Sequence, residues 1–410
     1  MRSGATFAAA RDRHLGSLDQ RDRRFAYELA AGVLRRQAAL DRTLELPTAD
    51  SRLRDILRLG AYQLRALARV PAYAAVSTSV ELAREALGEG AAGYVNQALR
   101  RLIRETRDGT RDTGEGTHPP WLVARWRRSF GAAEAARLVA WNDTKPTLTI
   151  QPARWSQEGL ARALREAGFG VEDAPYGAGL RVTRSDHVSR FPFPVHLPAY
   201  AEGGFVVQDA AHALVCRYAG LGAGKVVYDA CAAPGGKAVT LERLGAGVVA
   251  GDVRRDRIGR LIETVRRGGV AVRVLAADLL SAPLAAASLD AVLVDAPCSA
   301  TGTMARHPDA RWRVSERAII RAAERQRRLI DAAARLVKPG GVLVYATCSL
   351  EPEENSAIVN DFLARRAGFG REPSTGAVPA ALLTAEGDFQ SLPQRHEMDG
   401  AYAARLVRAR

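Results

Sequence analysis

Apolar and polar positions follow two different periods along this chain. Over residues 1–106 the apolar residues recur at helical spacing, in "RDRRFAYELAAGVLRRQAALDRTLE", "LRDILRLGAYQLRALARV" and "TSVELAREALGEGAAGYVNQALRRLIRE". Short breaks, "LPTADS" and "VPAYAAV", separate these runs, so a small all-helical bundle is expected. The stretch "TRDGTRDTGEGTH", rich in Gly, Thr and charge, reads as a linker over 107–118. Residues 119–220 mix helix ("WLVARWRRSF", "EGLARALREAG") with short strands ("TLTIQ", "GLRVT", "GGFVVQD"), an α+β connecting region.

From residue 221 to 410 the period changes again. Continuous apolar runs, "KVVYDA", "GVVAGD", "AVRVLAAD", "LDAVLVDA" and "GVLVYATC", alternate with helical stretches such as "SERAIIRAAERQRRLIDAAARLV". That alternation predicts an α/β domain with a doubly wound, mostly parallel, Rossmann-like sheet. Ligands of such sheets bind beyond the carboxyl ends of the strands. Asp229, Asp252, Asp278, Asp295 and Cys348 all fall at or just after those ends.

Composition changes the picture in two respects. The 410 residues carry a net charge of +14, which favours a polyanionic partner, nucleic acid before membrane. Only four of the 59 basic residues are lysine, so Lys237 stands out. The four cysteines, Cys216, Cys231, Cys298 and Cys348, form no CxxC pair and no zinc-spaced cluster. A disulfide scaffold and a metal are therefore not expected, and a reducing, cytoplasmic setting is. The first residues lack a long apolar signal segment, and no apolar run approaches the length of a membrane span.

The first strand of the sheet is followed by "YDACAAPGGKAVTLE". It is not a GxGxxG dinucleotide fingerprint. Cys231, Ala232, Ala233, Pro234, Gly235, Gly236 and Lys237 instead make a tight turn with one cation, opening a helix whose free N–H groups face a ligand. Asp252, at the next strand end, is placed to accept ribose hydroxyls, and Asp278 to meet an adenine edge. A nucleoside-containing cofactor is implied, although acids at strand ends also cap turns.

"DACAAPGGK", "VDAPCSATGT", "YATCSLEPEEN" and "RHPDARW" resemble motifs of the RNA cytosine-5 methyltransferases that use S-adenosylmethionine. "LGAYQL", "RVPAYAAV" and "YVNQALRRL" are similar to a NusB-like RNA-binding domain, a combination that resembles the RsmB (Sun or Fmu) type. The resemblance implies methyl transfer to a cytosine of 16S rRNA. Cys348 is then the attacking thiol, Cys298 the agent of release, Asp295 the holder of the base near N3 and a contact to the cofactor, and Lys237 an orienting cation. Covalent attack on carbon 6 is what makes carbon 5 nucleophilic, and it requires a thiolate. Cys216, on a helix face, reads as core, and Cys231 as a backbone contact. Arg306, His307, Arg311 and Trp312 are expected to meet RNA through phosphate contact and stacking. The expected partner is 16S rRNA outside the mature subunit, with no membrane and the chain acting as a monomer. Asp399-Gly400-Ala401-Tyr402 stands where the family has a DGFF-like stretch. Other readings are the same chemistry on tRNA or another rRNA site, or a non-catalytic RNA-binding or antitermination factor. Amino methylation favours a D/N-P-P-Y/F loop, whereas this loop is D-A-P-C.

Overall fold

The structure is a computed structural model that describes residues 6–44, 50–107, 116–184, 193–374 and 376–410. Most of the expected linker, residues 108–115, and most of the expected break at "LPTADS" lie outside the described residues. The chain divides into two compact units, residues 1–144 with 304–313, and residues 145–303 with 314–410.

The first unit is helical: α1 (Phe7–His14), α2 (Gln20–Leu44), α3 (Ser51–Ala66), α4 (Ala72–Leu87), α5 (Glu89–Arg107), α6 (Pro120–Phe130) and α7 (Ala132–Asp143). On α5 the apolar stripe Ala92, Val95, Leu99 and Leu102 recurs at three- and four-residue steps, and all four are buried. Val95, Leu99 and Leu102 join Leu40, Leu57, Ala61 and Val76 in one core. Each fully buried leucine there contributes roughly 1.5–3 kcal/mol. Asp50 starts α3 by accepting from the Arg52 and Leu53 amides. The break expected at "VPAYAAV" is present but lies earlier, over residues 67–71: Pro71 is the N-cap, and helix resumes at Ala72. Proline's fixed φ and missing N–H suit a helix start as well as an interruption.

The second unit contains two sheets. A four-stranded antiparallel sheet is built from β1 (Leu148–Pro152), β2 (Phe169–Asp173), β3 (Leu180–Arg184) and β4 (Phe205–Val207), in the order β2-β3-β1-β4. Helix α8 (Gln157–Glu166) packs Leu160 and Leu164 with Ile150, Val182 and Phe205 from this sheet. Next come α9 (Ala210–Ala219), β5 (Val226–Ala230), α10 (Gly236–Arg243), β6 (Gly247–Asp252), α11 (Arg255–Gly268), β7 (Arg273–Ala276) and β8 (Leu289–Asp295). Met304–Arg313, carrying the short α12 (Ala310–Arg313), is grouped with the helical unit. The chain continues with α13 (Glu316–Leu336), β9 (Val337–Thr347), α14 (Ser356–Arg365), β10 (Phe369–Arg371), β11 (Phe389–Ser391), α15 (Pro393–His396) and β12 (Ala401–Arg408).

The larger sheet runs β10-β12-β9-β8-β5-β6-β7, with β11 beside β12. The five strands from β5 to β9 are parallel, as the apolar runs require, and β10, β11 and β12 are antiparallel additions. Alternate residues feed the two faces. Val227, Leu293 and Val344 join the core of α9, α10 and α11. Tyr228, Val292 and Leu343 join that of α13 and α14. Chain order reverses between β5 and β8, the switch point where such sheets bind ligands. No described helix is long and apolar enough to cross a membrane.

Candidate active site

Five strand ends and the turns after them carry the candidate site residues. β5 delivers Asp229, which is fully buried with neither carboxylate oxygen hydrogen-bonded among the described residues. Burial and, next, the charge of Asp295 push its pKa up to about 8. Past it the chain turns sharply: Cys231 has φ 63° and Gly235 φ 107°. A side chain at Gly235 would sit 2.9 Å from Leu261 Cδ1 in a left-handed backbone, so glycine is required there. Burial pushes the Cys231 thiol up to about 12, which leaves it protonated and inert.

Asp252, buried at the end of β6, accepts from the Ala233 amide at 3.2 Å through Oδ2 and from the Arg254 amide at 2.9 Å through Oδ1. Arg257 donates to the Ala233 carbonyl at 2.9 Å and closes the turn over Asp252. Asp278 caps the turn after β7 by accepting from the Leu280 amide at 3.0 Å. Both acids thus support local backbone, as strand-end acids commonly do.

Lys237, in the first turn of α10, is buried. Burial disfavours its ammonium, yet Asp295 outweighs that and raises its pKa. The ammonium donates to Asp295 Oδ2 at 2.7 Å, joining the β5 turn to the end of β8. On its other side, His212 Nδ1 from α9 lies 3.2 Å away.

The two cysteine loops meet at the ends of β8 and β9. Cys298 Sγ lies 3.2 Å from Cys348 Sγ, and both residues are half-buried. The hydrogen bond with Cys348, followed by burial, holds the Cys298 thiol well above the ordinary cysteine range. Backbone contact fixes this approach. The Gly302 amide donates to the Cys348 carbonyl at 3.0 Å, and the Gly400 amide to the Gly302 carbonyl at 2.8 Å. A Cβ on Gly302 would stand 2.6 Å from the Gly400 oxygen and 2.9 Å from the Cys348 oxygen. Only glycine lets three chain segments come this close.

Glu354 pins both loops, a role not anticipated although the residue lies within "YATCSLEPEEN". It is fully buried. Its Oε1 accepts from the Ser299 amide at 2.9 Å and from Gln326 Nε2 at 3.0 Å, and its Oε2 from Ser349 Oγ at 2.5 Å and from the Ser299 hydroxyl. Gln326 also donates to the Pro297 carbonyl at 3.0 Å, tying α13 to the Cys298 loop. Tyr345 OH donates to the Glu354 carbonyl at 2.6 Å.

The four expected RNA contacts differ in burial. Arg306 is half-buried and His307 exposed. Arg311 is wholly inside the helical unit, at 0% exposure. It donates to Asp143 Oδ1 at 2.7 Å and to the carbonyls of Asn142 at 2.8 Å and of Arg35 and Thr117 at 3.2 Å. Trp312 packs with Phe7, Ala31 and Leu34, and its indole N–H donates to the Leu34 carbonyl at 2.6 Å. The expectation of phosphate contact by Arg311 is therefore corrected, because every face of its guanidinium is enclosed by the bundle. Trp312 is half-buried, its ring packed against the cluster of Phe7, Ala31 and Leu34. Among the described residues no cluster of His, Cys, Asp and Glu could hold a metal.

The donor set fits S-adenosylmethionine. Asp229 presents buried, unpartnered acceptor oxygens beside a glycine turn, which suits a cationic ligand whose backbone approach is close. Three family models divide the chain: the NusB family matches residues 3–104, a ferredoxin-like domain of RsmF/B-like methyltransferases residues 118–189, and 16S rRNA methyltransferase RsmB/F residues 221–407. The chain is 34% identical to the probable ribosomal RNA small subunit methyltransferase B of Synechocystis sp., covering 95% of this chain and 92% of that protein. It is 31% identical to the ribosomal RNA small subunit methyltransferase B of Salmonella arizonae, covering 95% and 91%. The solved structure of PH0851 superposes with a TM-score of 0.79 at 26% identity, over 94% of this chain and 90% of that one. NSun6 from Pyrococcus horikoshii with SFG gives 0.62 at 20% identity, over 71% and 98%, a likeness of fold. By sequence similarity along nearly its whole length, and by the site its sheet assembles, the chain belongs to the ribosomal RNA small subunit methyltransferase B family.

Proposed function

We propose that this protein is a cytoplasmic, monomeric enzyme that methylates carbon 5 of a cytosine in 16S rRNA before the subunit matures. The observation that carries the reading is the pair of thiols, Cys298 and Cys348, 3.2 Å apart and one strand away from the Asp229–Lys237 turn. Amino methylation has no use for two thiols so placed, and a non-catalytic RNA-binding factor has none either.

Asp229, the 231–237 turn, Asp252, Asp278 and Asp295 would hold S-adenosylmethionine, which supplies an electrophilic methyl group when bound. Cys348 adds to carbon 6 of the cytosine, forming an S–C6 bond and making carbon 5 nucleophilic. Asp295, held by Lys237, keeps the base edge near N3. Carbon 5 takes the methyl group. A water-derived base then takes the hydrogen of carbon 5 as a proton, the C–H pair re-forms the C5–C6 double bond, and the S–C6 bond breaks with its electron pair returning to the Cys348 sulfur. Cys298, held as a neutral thiol, can donate its S–H toward the Cys348 sulfur and so promote its departure. A target cytosine must leave its stack to reach a strand-edge site, so an unpaired one is the substrate.

The test is to map 5-methylcytosine in 16S rRNA from cells with and without this protein. One site lost and restored by the wild-type gene supports the reading. Loss in tRNA or 23S rRNA instead moves the substrate, and no loss overturns it.

A further inference from the structure

Lys237 is held from two sides. Its ammonium donates to Asp295 Oδ2 at 2.7 Å from the end of β8 and meets His212 Nδ1 at 3.2 Å from the first turn of α9. An ammonium has three donors and no acceptor, so the second contact requires a lone pair on Nδ1, the neutral imidazole with its proton on Nε2. Lysine's four-carbon stem is flexible, and one carboxylate alone does not fix where its nitrogen sits. Two acceptors on different elements do. The helix bearing His212 is itself anchored, since Asp209 Oδ1 accepts from the amides of Ala211 at 3.0 Å and Asp399 at 2.9 Å.

We propose that His212 is a positioning residue for Lys237. Its imidazole takes one ammonium hydrogen and Asp295 the second, which leaves the third for the bound base or methyl donor. A neutral acceptor achieves this without adding a negative charge beside Asp295 and Asp229. The inference rests on the reading of Lys237 and Asp295 as site residues.

The test compares His212→Leu, which removes the acceptor, with His212→Asn, whose amide oxygen can stand where Nδ1 lies. In the full-length protein, His212→Leu is expected to lower kcat about tenfold, the scale of one lost hydrogen bond to a charged group, with KM for RNA within about twofold. His212→Asn is expected to stay within about threefold of wild type. Equal kcat for His212→Leu and wild type, or equal loss in both variants, overturns the proposal. A second reading does not depend on activity. With four lysines in the chain, labelled lysine Nζ resonances are few enough to assign by Lys→Arg replacement. The Lys237 ammonium protons should exchange slowly in wild type and His212→Asn and rapidly in His212→Leu. An unchanged Lys237 signal in His212→Leu overturns the positioning role, whereas a wild-type chain that transfers no methyl to cytosine overturns the function and leaves this readout standing.

Discussion

Cys298 Sγ and Cys348 Sγ lie 3.2 Å apart although 50 residues separate them in the chain. Parallel pairing of β8 with β9 aligns Asp295 with Ala346, so the loops after both strands start level. Contact with Cys348 and burial hold the Cys298 thiol up, and the proposed mechanism gives attack to Cys348 and release to Cys298.

Cys298→Ala should therefore retain attack and lose release. Incubation with unmodified RNA and S-adenosylmethionine should accumulate a protein–RNA adduct that survives denaturing electrophoresis. Absence of that adduct in a folded Cys298→Ala protein would remove the release role.

Glu354→Ala should disorder both loops at once. It strips acceptors from the Ser299 amide, Ser349 and Gln326, and buried donors left unpaired cost about 1–3 kcal/mol each. Thermal denaturation should show a clear loss of stability, and kcat should fall further than cofactor affinity does. Glu354→Gln, which keeps an acceptor oxygen, should fall between wild type and alanine.

The raised pKa of Asp229 makes stability depend on pH in a defined direction. The folded protein holds this proton up to about pH 8, whereas an unfolded aspartate releases it near 3.9. The contribution is thus complete below the unfolded value and declines as pH rises toward 8. The isosteric Asp229→Asn cannot ionise. Its melting temperature relative to wild type should rise from pH 5 to pH 8 in cofactor-free protein, and a constant difference would show that Asp229 is ionised throughout.

Arg311→Ala should unfold the helical unit before it weakens RNA binding. Asp143 is partly exposed, so the cost falls on the carbonyls of Arg35, Thr117 and Asn142 that lose a buried donor, about 1–3 kcal/mol each. Circular dichroism melts would detect this. A stable variant with weakened RNA affinity would return Arg311 to the RNA surface.

The parallel strands and the two cysteine loops were legible because continuous apolar runs and motif residues are local signals. β10 and β11 were not, since three residues, "FGR" and "FQS", hold no period. Arg311 was misplaced because its partner Asp143 is 168 residues away, and an arginine's surroundings cannot be read from its neighbours in sequence. Glu354 and His212 escaped for the same reason. Each acts through residues brought together by packing: Ser299 is 55 positions from Glu354, and Lys237 is 25 from His212.

Trapping with RNA containing 5-fluorocytosine at the methylated position tests the assignment of the attacking sulfur most directly. Fluorine on carbon 5 cannot leave as a proton would, so the thioether to carbon 6 persists and its cysteine can be located by mass spectrometry of the digested complex. The label is expected on Cys348, with trapping abolished in Cys348→Ala and kept in Cys298→Ala. A label on Cys298, or trapping that survives loss of Cys348, would contradict the mechanism.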